Sequence, residues 1–290
     1  MNLSLKSYLS KLSQEYLQPD LKKLDEIYDA LEIQYEGKND PWGLNLNTHR
    51  KCFEYFWFFY KHYFRVKLHN KNHLENKNYM IIANHSGQVA IDALLTMMAF
   101  IYEINPPHLV RGMIERFVPT IPFVGELITG TGHVLGDRKN CLYLLQKKEN
   151  ILVFPEGVKG IAKETSQFYK LQDFTTGFLR LALQTKTSIL PIAIVGAEEF
   201  YPYVIHFPKI AKLLKLPVLP LTPTLIPLPS PVDIYIGKPL SLETLPSQKS
   251  TEKEINNHVL ELKNEINDLI QTGLKQKRNY LGHAKNESRK

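Results

Sequence analysis

The chain has 290 residues, 43% hydrophobic and 22% charged, an ordinary globular composition with length enough for one large domain carrying helical additions. Lysine and arginine number 36 against 29 acids, and the net charge of +7 points to a negatively charged partner: an anionic membrane, a phosphorylated substrate or nucleic acid. Two cysteines, Cys52 and Cys141, exclude a disulfide framework and suit a reducing compartment, while the N-terminus lacks a signal-peptide core and no run of 18 uncharged apolar residues suits a spanning helix.

In chain order, Leu5, Tyr8, Leu9, Leu12 and Tyr16 share one face of a predicted helix. After the start signal Pro19-Asp20, Leu21, Leu24, Tyr28 and Leu31 share one face of a second. The turn cluster Asn39-Asp40-Pro41-Trp42-Gly43 suggests the boundary of an N-terminal helical segment, 1–47. Phe53 to Phe64 follows, a helix with aromatics on nearly every side and Arg50, Lys51, Lys61 and Arg65 around them. Such a helix is either buried all round or seated in a membrane interface. Arg65 to Leu68 reads as a strand.

The next stretch organises the chain. Met80 to Ala83 is a short apolar run, hence a buried strand; Asn84-His85-Ser86-Gly87 breaks it, and Asp92 to Tyr102 resumes as a helix. Polar residues at the end of a buried strand stand where open α/β sheets place their ligands. A neutral imidazole can accept a proton near pH 7, and a carboxylate on its other nitrogen fixes the tautomer, so His85 and Asp92 form a candidate base and orienting partner. Seven residues of continuous helix would hold them about 10 Å apart, so Ser86-Gly87-Gln88 has to fold back. The alternative is a strand-end histidine and a helix N-terminal carboxylate favoured by the dipole.

Two more strand ends resemble this one. Ile151 to Phe154 stops at Pro155-Glu156-Gly157, and Ser188 to Val195 stops at Gly196, with a predicted helix from Phe178 to Gln184 between them. Strand–helix–strand order predicts parallel neighbours in an α/β fold. The glycines of Gly130 to Arg138 lack dinucleotide spacing and no clear strand-to-helix turn contains them, which argues against a nucleotide fold there. Arg138 and Lys159 each follow a glycine-bearing strand end; they either converge on an anion or are solvated surface charges. Ser86 lacks the glycine elbow of a hydrolase nucleophile, and His85, His133 and Asp92 lack zinc-ligand spacing.

Beyond Val204, prolines at 208, 217, 220, 223, 227, 229 and 231 punctuate an apolar segment and exclude a helix or a central strand. It is either a loop over the core or a flap facing lipid or an acyl chain. Asp233 to Gly237 reads as a last strand. Thr251 with Glu254 forms a capping box, and Ile255, Val259, Leu262, Ile266, Leu269 and Ile270 form one stripe of a helix that stops at Gly273. The segment 246–290 is therefore a C-terminal helix with a basic tail.

Asn84-His85 with Asp92, Gly132 six before Arg138, Phe154-Pro155-Glu156-Gly157, and Leu190-Pro191-Ile192 resemble, in order, the four sequence blocks of the glycerolipid (lysophospholipid) acyltransferase family. The resemblance covers roughly residues 65–240 and implies an acyltransferase domain over 48–245, including the aromatic helix 53–64 and the proline-rich segment 207–231. The expected fold is α/β, a mixed, largely parallel sheet flanked by helices, with N-terminal amphipathic helices and a C-terminal helix. The expected activity is acyl transfer from acyl-coenzyme A or acyl-acyl carrier protein, as co-substrate, to a lysophospholipid such as 1-acylglycerol-3-phosphate, with no cofactor and no metal.

By position in those blocks, His85 is the base and Asp92 its partner. Asn84, Gly132, Arg138, Phe154, Pro155, Glu156, Gly157, Lys159 and Pro191 belong to the substrate site, with Arg138 on a phosphate. The family also implies action at a membrane surface, here expected as a peripheral protein on the cytoplasmic face of the inner membrane, and favours membrane contact for the aromatic helix; no nucleic-acid partner is expected, because the aromatics sit in apolar runs rather than interleaved along a basic face. Two departures concern the acceptor. Six residues separate His85 from Asp92 where the common pattern has four, as in members resembling monoacylglycerol and diacylglycerol acyltransferases. Val158-Lys159 stands where phosphate-using members place Thr-Arg, and lysine lacks the two-pronged fork that suits phosphate. Alternatives are thus a neutral acceptor (monoacylglycerol, diacylglycerol or a long-chain alcohol) or a non-catalytic membrane-binding protein.

Overall fold

Two apolar layers sandwich one sheet. The computed structural model describes residues 17–86, 90–116, 118, 128, 130–206, 220–221, 223–224, 226–240 and 250–276. The strands of the sheet are β1 (Lys67–His69), β2 (Tyr79–Ala83), β3 (Val110–Ile114), β4 (Val134–Leu135), β5 (Asn150–Val153), β6 (Ser188–Val195) and β9 (Asp233–Ile236). Their order is β1-β9-β6-β2-β5-β3-β4, and every pairing is parallel except β6 with β9. The mixed, largely parallel sheet expected from the sequence is therefore present. β2 is buried along its whole length, as its unbroken Tyr79 to Ala83 run requires of a strand covered on both faces.

One face is covered by α1 (Leu21–Tyr35), α2 (Leu46–Phe58) and α3 (Ile91–Tyr102). The other is covered by α4 (Arg138–Gln146), α6 (Gly177–Thr185) and α7 (Glu252–Lys275), with the short α5 (Val158–Ile161) beside the site. Side chains start these helices as their caps predict: Asp20 accepts from the Lys23 amide, Asn45 from Thr48, Asp137 from Asn140, and Thr251 pairs with Glu254 in a capping box. The turn before α4 corrects the sequence reading of Gly130 to Arg138, because β4 does lead into a helix there through Gly136 and Asp137. Two-residue strands β7 (Ile205–His206) and β8 (Pro220–Leu221) pair separately as an antiparallel ribbon. Most of the proline-rich segment lies outside the described residues, as do the predicted helix from Leu5 to Tyr16 and the basic tail beyond Gln276.

The aromatic helix is amphipathic after all. Phe53, Trp57, Tyr60 and Phe64 form a stripe buried in the core, each worth about 1.5–3 kcal/mol in transfer free energy. After Phe58 the helix widens to a π turn, Phe59–Tyr63, closed by the Phe64 amide on the Phe59 carbonyl at 2.8 Å. Tyr55 and Phe58 are left exposed on the outer face. Among the described residues no helix is long and apolar enough to cross a membrane.

The turn cluster at 39–43 is packed onto the sheet. Arg111 of β3, 1% exposed, pairs through Nη1 with Asp40 Oδ2 at 2.7 Å and donates from Nε to the Gly132 carbonyl at 2.6 Å. Trp42 packs edge-on against Tyr143 of α4, and the Tyr35 hydroxyl donates to Glu149. Gly132 has φ +88°, and a Cβ there would press on Leu44 and Arg111.

Nearby, burial pushes His49 down to about 4, with the charges of His133 and Arg111 adding to the effect; its Nδ1 lies 2.7 Å from the Tyr28 hydroxyl. A histidine near 6.5 when unfolded and near 4 when folded binds more protons in the unfolded chain, so its contribution is lost as pH falls from 6.5 to 4. Urea midpoints should thus fall between pH 7 and 4.5, and His49→Gln should remove about 2 kcal/mol of that fall. His133, also pushed to about 4 by burial, keeps the remainder. An unchanged pH slope in His49→Gln would show that His49 does not titrate as a buried neutral ring.

Candidate active site

The site lies past the C-terminal ends of β6, β2 and β5, three adjacent strands. β2 ends at Asn84, whose buried amide donates to the Ile194 carbonyl (3.0 Å) and accepts from the Ile194 amide (2.8 Å). A side chain thus replaces the next backbone pairing with β6, and the main chain is released to turn. It turns far enough to bring His85 Nδ1 within 2.8 Å of Asp92 Oδ2, so the fold-back required by the sequence spacing occurs; residues 87–89 themselves lie outside the described residues.

Asp92 sits fully buried in the first turn of α3. Its Oδ2 also accepts from the Ser86 amide at 2.8 Å, and its Oδ1 from the Ala93 amide at 2.8 Å. These donors, with the imidazole, stabilise a buried carboxylate. They also fix the histidine: with Nδ1–H donating to Asp92, Nε2 is the nitrogen left to accept a substrate proton. Ser86 is fully buried, its hydroxyl 3.4 Å from Asp92, and presents no nucleophile. The His85 ring stacks on Phe154 at 4.1 Å between centroids and 14° between planes.

Glu156 is turned inward. Its Oε1 accepts from the His85 amide (2.9 Å) and its Oε2 from the Gln172 amide (2.7 Å), while Lys163 Nζ stands 3.2 Å from Oε2. Gly157, at φ +56°, closes the turn by donating to the Phe154 carbonyl. Gly160 is needed for a different reason: a Cβ there would lie 2.7 Å from His85 Cβ and 3.0 Å from Glu156 Cβ. Neither Gly160 nor Lys163 stands out in the sequence. A glycine directly after a lysine reads as loop, and a lone lysine reads as surface.

A cavity of about 400 Å³ opens beside His85. Its rim holds Arg138, Asp137, Glu115 and Thr175, and its floor holds Met80, Met113, Cys141, Ile151, Phe178 and Leu181. Phe154, Pro155 and Gly157 complete the wall. Arg138 is the first residue of α4, exposed, with Nη2 donating to Gln184 at 2.7 Å. The remaining expected site residues lie apart from the described wall. Lys159 is exposed on α5, Gly132 packs against Arg111, and Pro191 is buried within β6. No cluster of metal-ligating side chains occurs among the described residues.

This arrangement suits removal of a proton from a hydroxyl in an apolar, walled cavity. The family model for Acyltransferase matches residues 65–195, the span that holds every residue of this site. The chain is 35% identical over 193 residues to an uncharacterized protein of Mycobacterium leprae, covering 63% of this chain and 53% of that protein. It is 25% identical over 142 residues to a 1-acyl-sn-glycerol-3-phosphate acyltransferase of Borreliella burgdorferi, covering 46% of this chain and 51% of that one. The chain thus spans about half the length of these relatives. In fold it is similar to the crystal structure of the 1-acyl-sn-glycerophosphate (LPA) acyltransferase of Thermotoga maritima, with TM-score 0.52, 16% identity and coverage of 93% of this chain and 90% of that one. Residues 65–195 thus match the Acyltransferase family model, and the chain is similar in sequence and in fold to glycerolipid acyltransferases.

Proposed function

We propose that the protein is an O-acyltransferase that moves a fatty acyl group from a thioester, on coenzyme A or acyl carrier protein, to the hydroxyl of a lysophospholipid of the 1-acylglycerol-3-phosphate kind. The observation that carries this reading is the His85–Asp92 pair at 2.8 Å on the wall of a cavity with an apolar floor. His85 Nε2 takes the acceptor's hydroxyl proton as its oxygen attacks the thioester carbonyl. The tetrahedral intermediate collapses, the C–S bond breaks, and the imidazolium returns its proton to the departing thiolate. Asp92 stabilises the imidazolium throughout. The substrate alcohol is itself the nucleophile, consistent with the burial of Ser86.

Arg138, the one cation on the described cavity wall, is the group that would meet an acceptor phosphate. A neutral acceptor is the second reading, favoured by the exposed position of Lys159 and by Glu115 and Asp137 on the same rim. The net charge of +7 and the exposed Tyr55 and Phe58 support work at an anionic membrane surface, on the cytoplasmic face.

Rates on lysophosphatidic-type and monoacylglycerol acceptors, with one labelled acyl thioester, test the reading. Arg138→Ala should lower the rate on the phosphorylated acceptor about tenfold to a hundredfold, the loss of a charge-assisted bond of about 1.5–3 kcal/mol, and leave the neutral acceptor nearly unchanged. Lys159→Ala should alter neither rate by more than about twofold, in keeping with a solvated charge. A rate ratio untouched by Arg138→Ala rejects the phosphate contact in favour of the neutral acceptor. No turnover of any acceptor by the wild type would leave a membrane-binding protein.

A further inference from the structure

Lys163 follows α5 in the chain and is 2% exposed, although a lysine is seldom buried without a partner. Its Nζ touches the ends of three adjacent strands. It donates to the His85 carbonyl after β2 at 3.1 Å and to Glu198 Oε1 after β6 at 3.0 Å, and lies 3.2 Å from Glu156 Oε2 after β5. Glu156 in turn accepts the His85 amide. Both backbone polar groups of His85 are therefore held by the two members of one buried ion pair. Glu198 is fastened on its other side by the Tyr169 amide, and burial pushes its carboxyl up while Lys163 opposes that shift.

We propose that Lys163 is a positioning residue of the acyl-transfer reaction: it sets where the His85 ring stands by fixing the His85 carbonyl against the Glu156 carboxylate. This inference rests on the reading of His85 as the base. The lysine does not line the described cavity wall, so it acts through His85 rather than on substrate. Among the described residues Lys163 is the donor that holds the His85 carbonyl, and the ring's stacking on Phe154 and bond to Asp92 both depend on where that backbone lies.

The test separates this role from simple charge balance. Lys163→Met removes the cation and leaves two carboxylates buried together; Lys163→Met with Glu198→Gln removes one of those carboxylates as well. A shift near 1 Å in a reacting group costs on the order of 10²-fold. Thermal unfolding, kcat, and KM for both substrates are measured in the two variants, in Glu198→Gln alone and in His85→Ala. The expected result is that the double variant regains melting temperature relative to Lys163→Met, yet keeps a kcat about 10–100-fold below that of Glu198→Gln, with each KM within about threefold. Recovery of kcat together with stability would make Lys163 a charge balance only and overturn the proposal. So would failure of both Lys163 variants to fold, since the lysine would then serve the fold. If His85→Ala retains full activity, it is the reading of His85 as base that fails; a dead His85→Ala beside a fully active double variant sinks the lysine proposal alone.

Discussion

His85→Ala should leave the fold intact and reduce acyl transfer by about 10²–10⁴-fold, the usual range for a positioned base. The ring has few structural duties: it stacks on Phe154 and bonds Asp92, while the amide and carbonyl held by Glu156 and Lys163 belong to the backbone and survive the change. Asp92→Asn is the sharper companion. An asparagine can still accept the Ser86 amide, so the turn is kept, but it cannot carry the charge that stabilises an imidazolium. Its kcat should fall by a similar factor with each KM nearly unchanged. Rates on a labelled acyl thioester with unchanged circular dichroism decide the matter, and wild-type activity in His85→Ala would remove the pair from the chemistry.

Asp40→Ala should cost about 3 kcal/mol of stability. It strips the partner from a guanidinium that is 1% exposed and whose Nη2 already lacks a hydrogen-bond partner among the described residues. Breaking a buried pair from one side is strongly destabilising because the other charge stays behind. Burial works against the Asp40 carboxylate, yet Arg111 and the Leu44 and Trp42 amides hold it below the usual carboxylate range. Asp40→Asn, which keeps an acceptor for those amides, should lose about half as much. The readout is the urea midpoint at constant m; a loss under about 1 kcal/mol for Asp40→Ala would mean that Arg111 finds water or another acceptor.

The apolar strands and the helix caps could be read from residue order, because a long buried run or a capping side chain leaves a local pattern. Ser188–Val195 is a strand over the span its composition predicts, and the helix expected from Phe178 to Gln184 extends by a residue at each end. The His85–Asp92 contact was foreseeable only with the added inference that the loop folds back. β3 was not legible, since Arg111, its second residue, reads as a surface residue until Asp40, 71 positions earlier, is placed against it. Lys163 and Glu198 were hidden for the same reason, and Glu156, expected in the substrate site, gave no sign of its buried pairing with Lys163. Buried ion pairs use the residue types of a solvated surface, and only three-dimensional pairing tells them apart. The aromatic helix misled in the opposite way, its density of aromatics masking a regular buried stripe.

The strand order also bears on synthesis. β2 sits at the centre of the sheet, but its neighbours β5 and β6 come later in the chain, and among the described residues β1 pairs only with β9. From the end of β2 at Ala83 to the start of β9 at Asp233, ribosomes moving at 5–20 residues per second need roughly 8–30 s. Throughout that interval the apolar Tyr79–Ala83 segment, and the histidine beyond it, have no completed sheet to enter. The nascent chain must therefore keep a sticky central strand waiting for its flanks, a natural client for a holdase, and a stop codon placed before Asp233 would release a product with both edges of the partial sheet open to other chains.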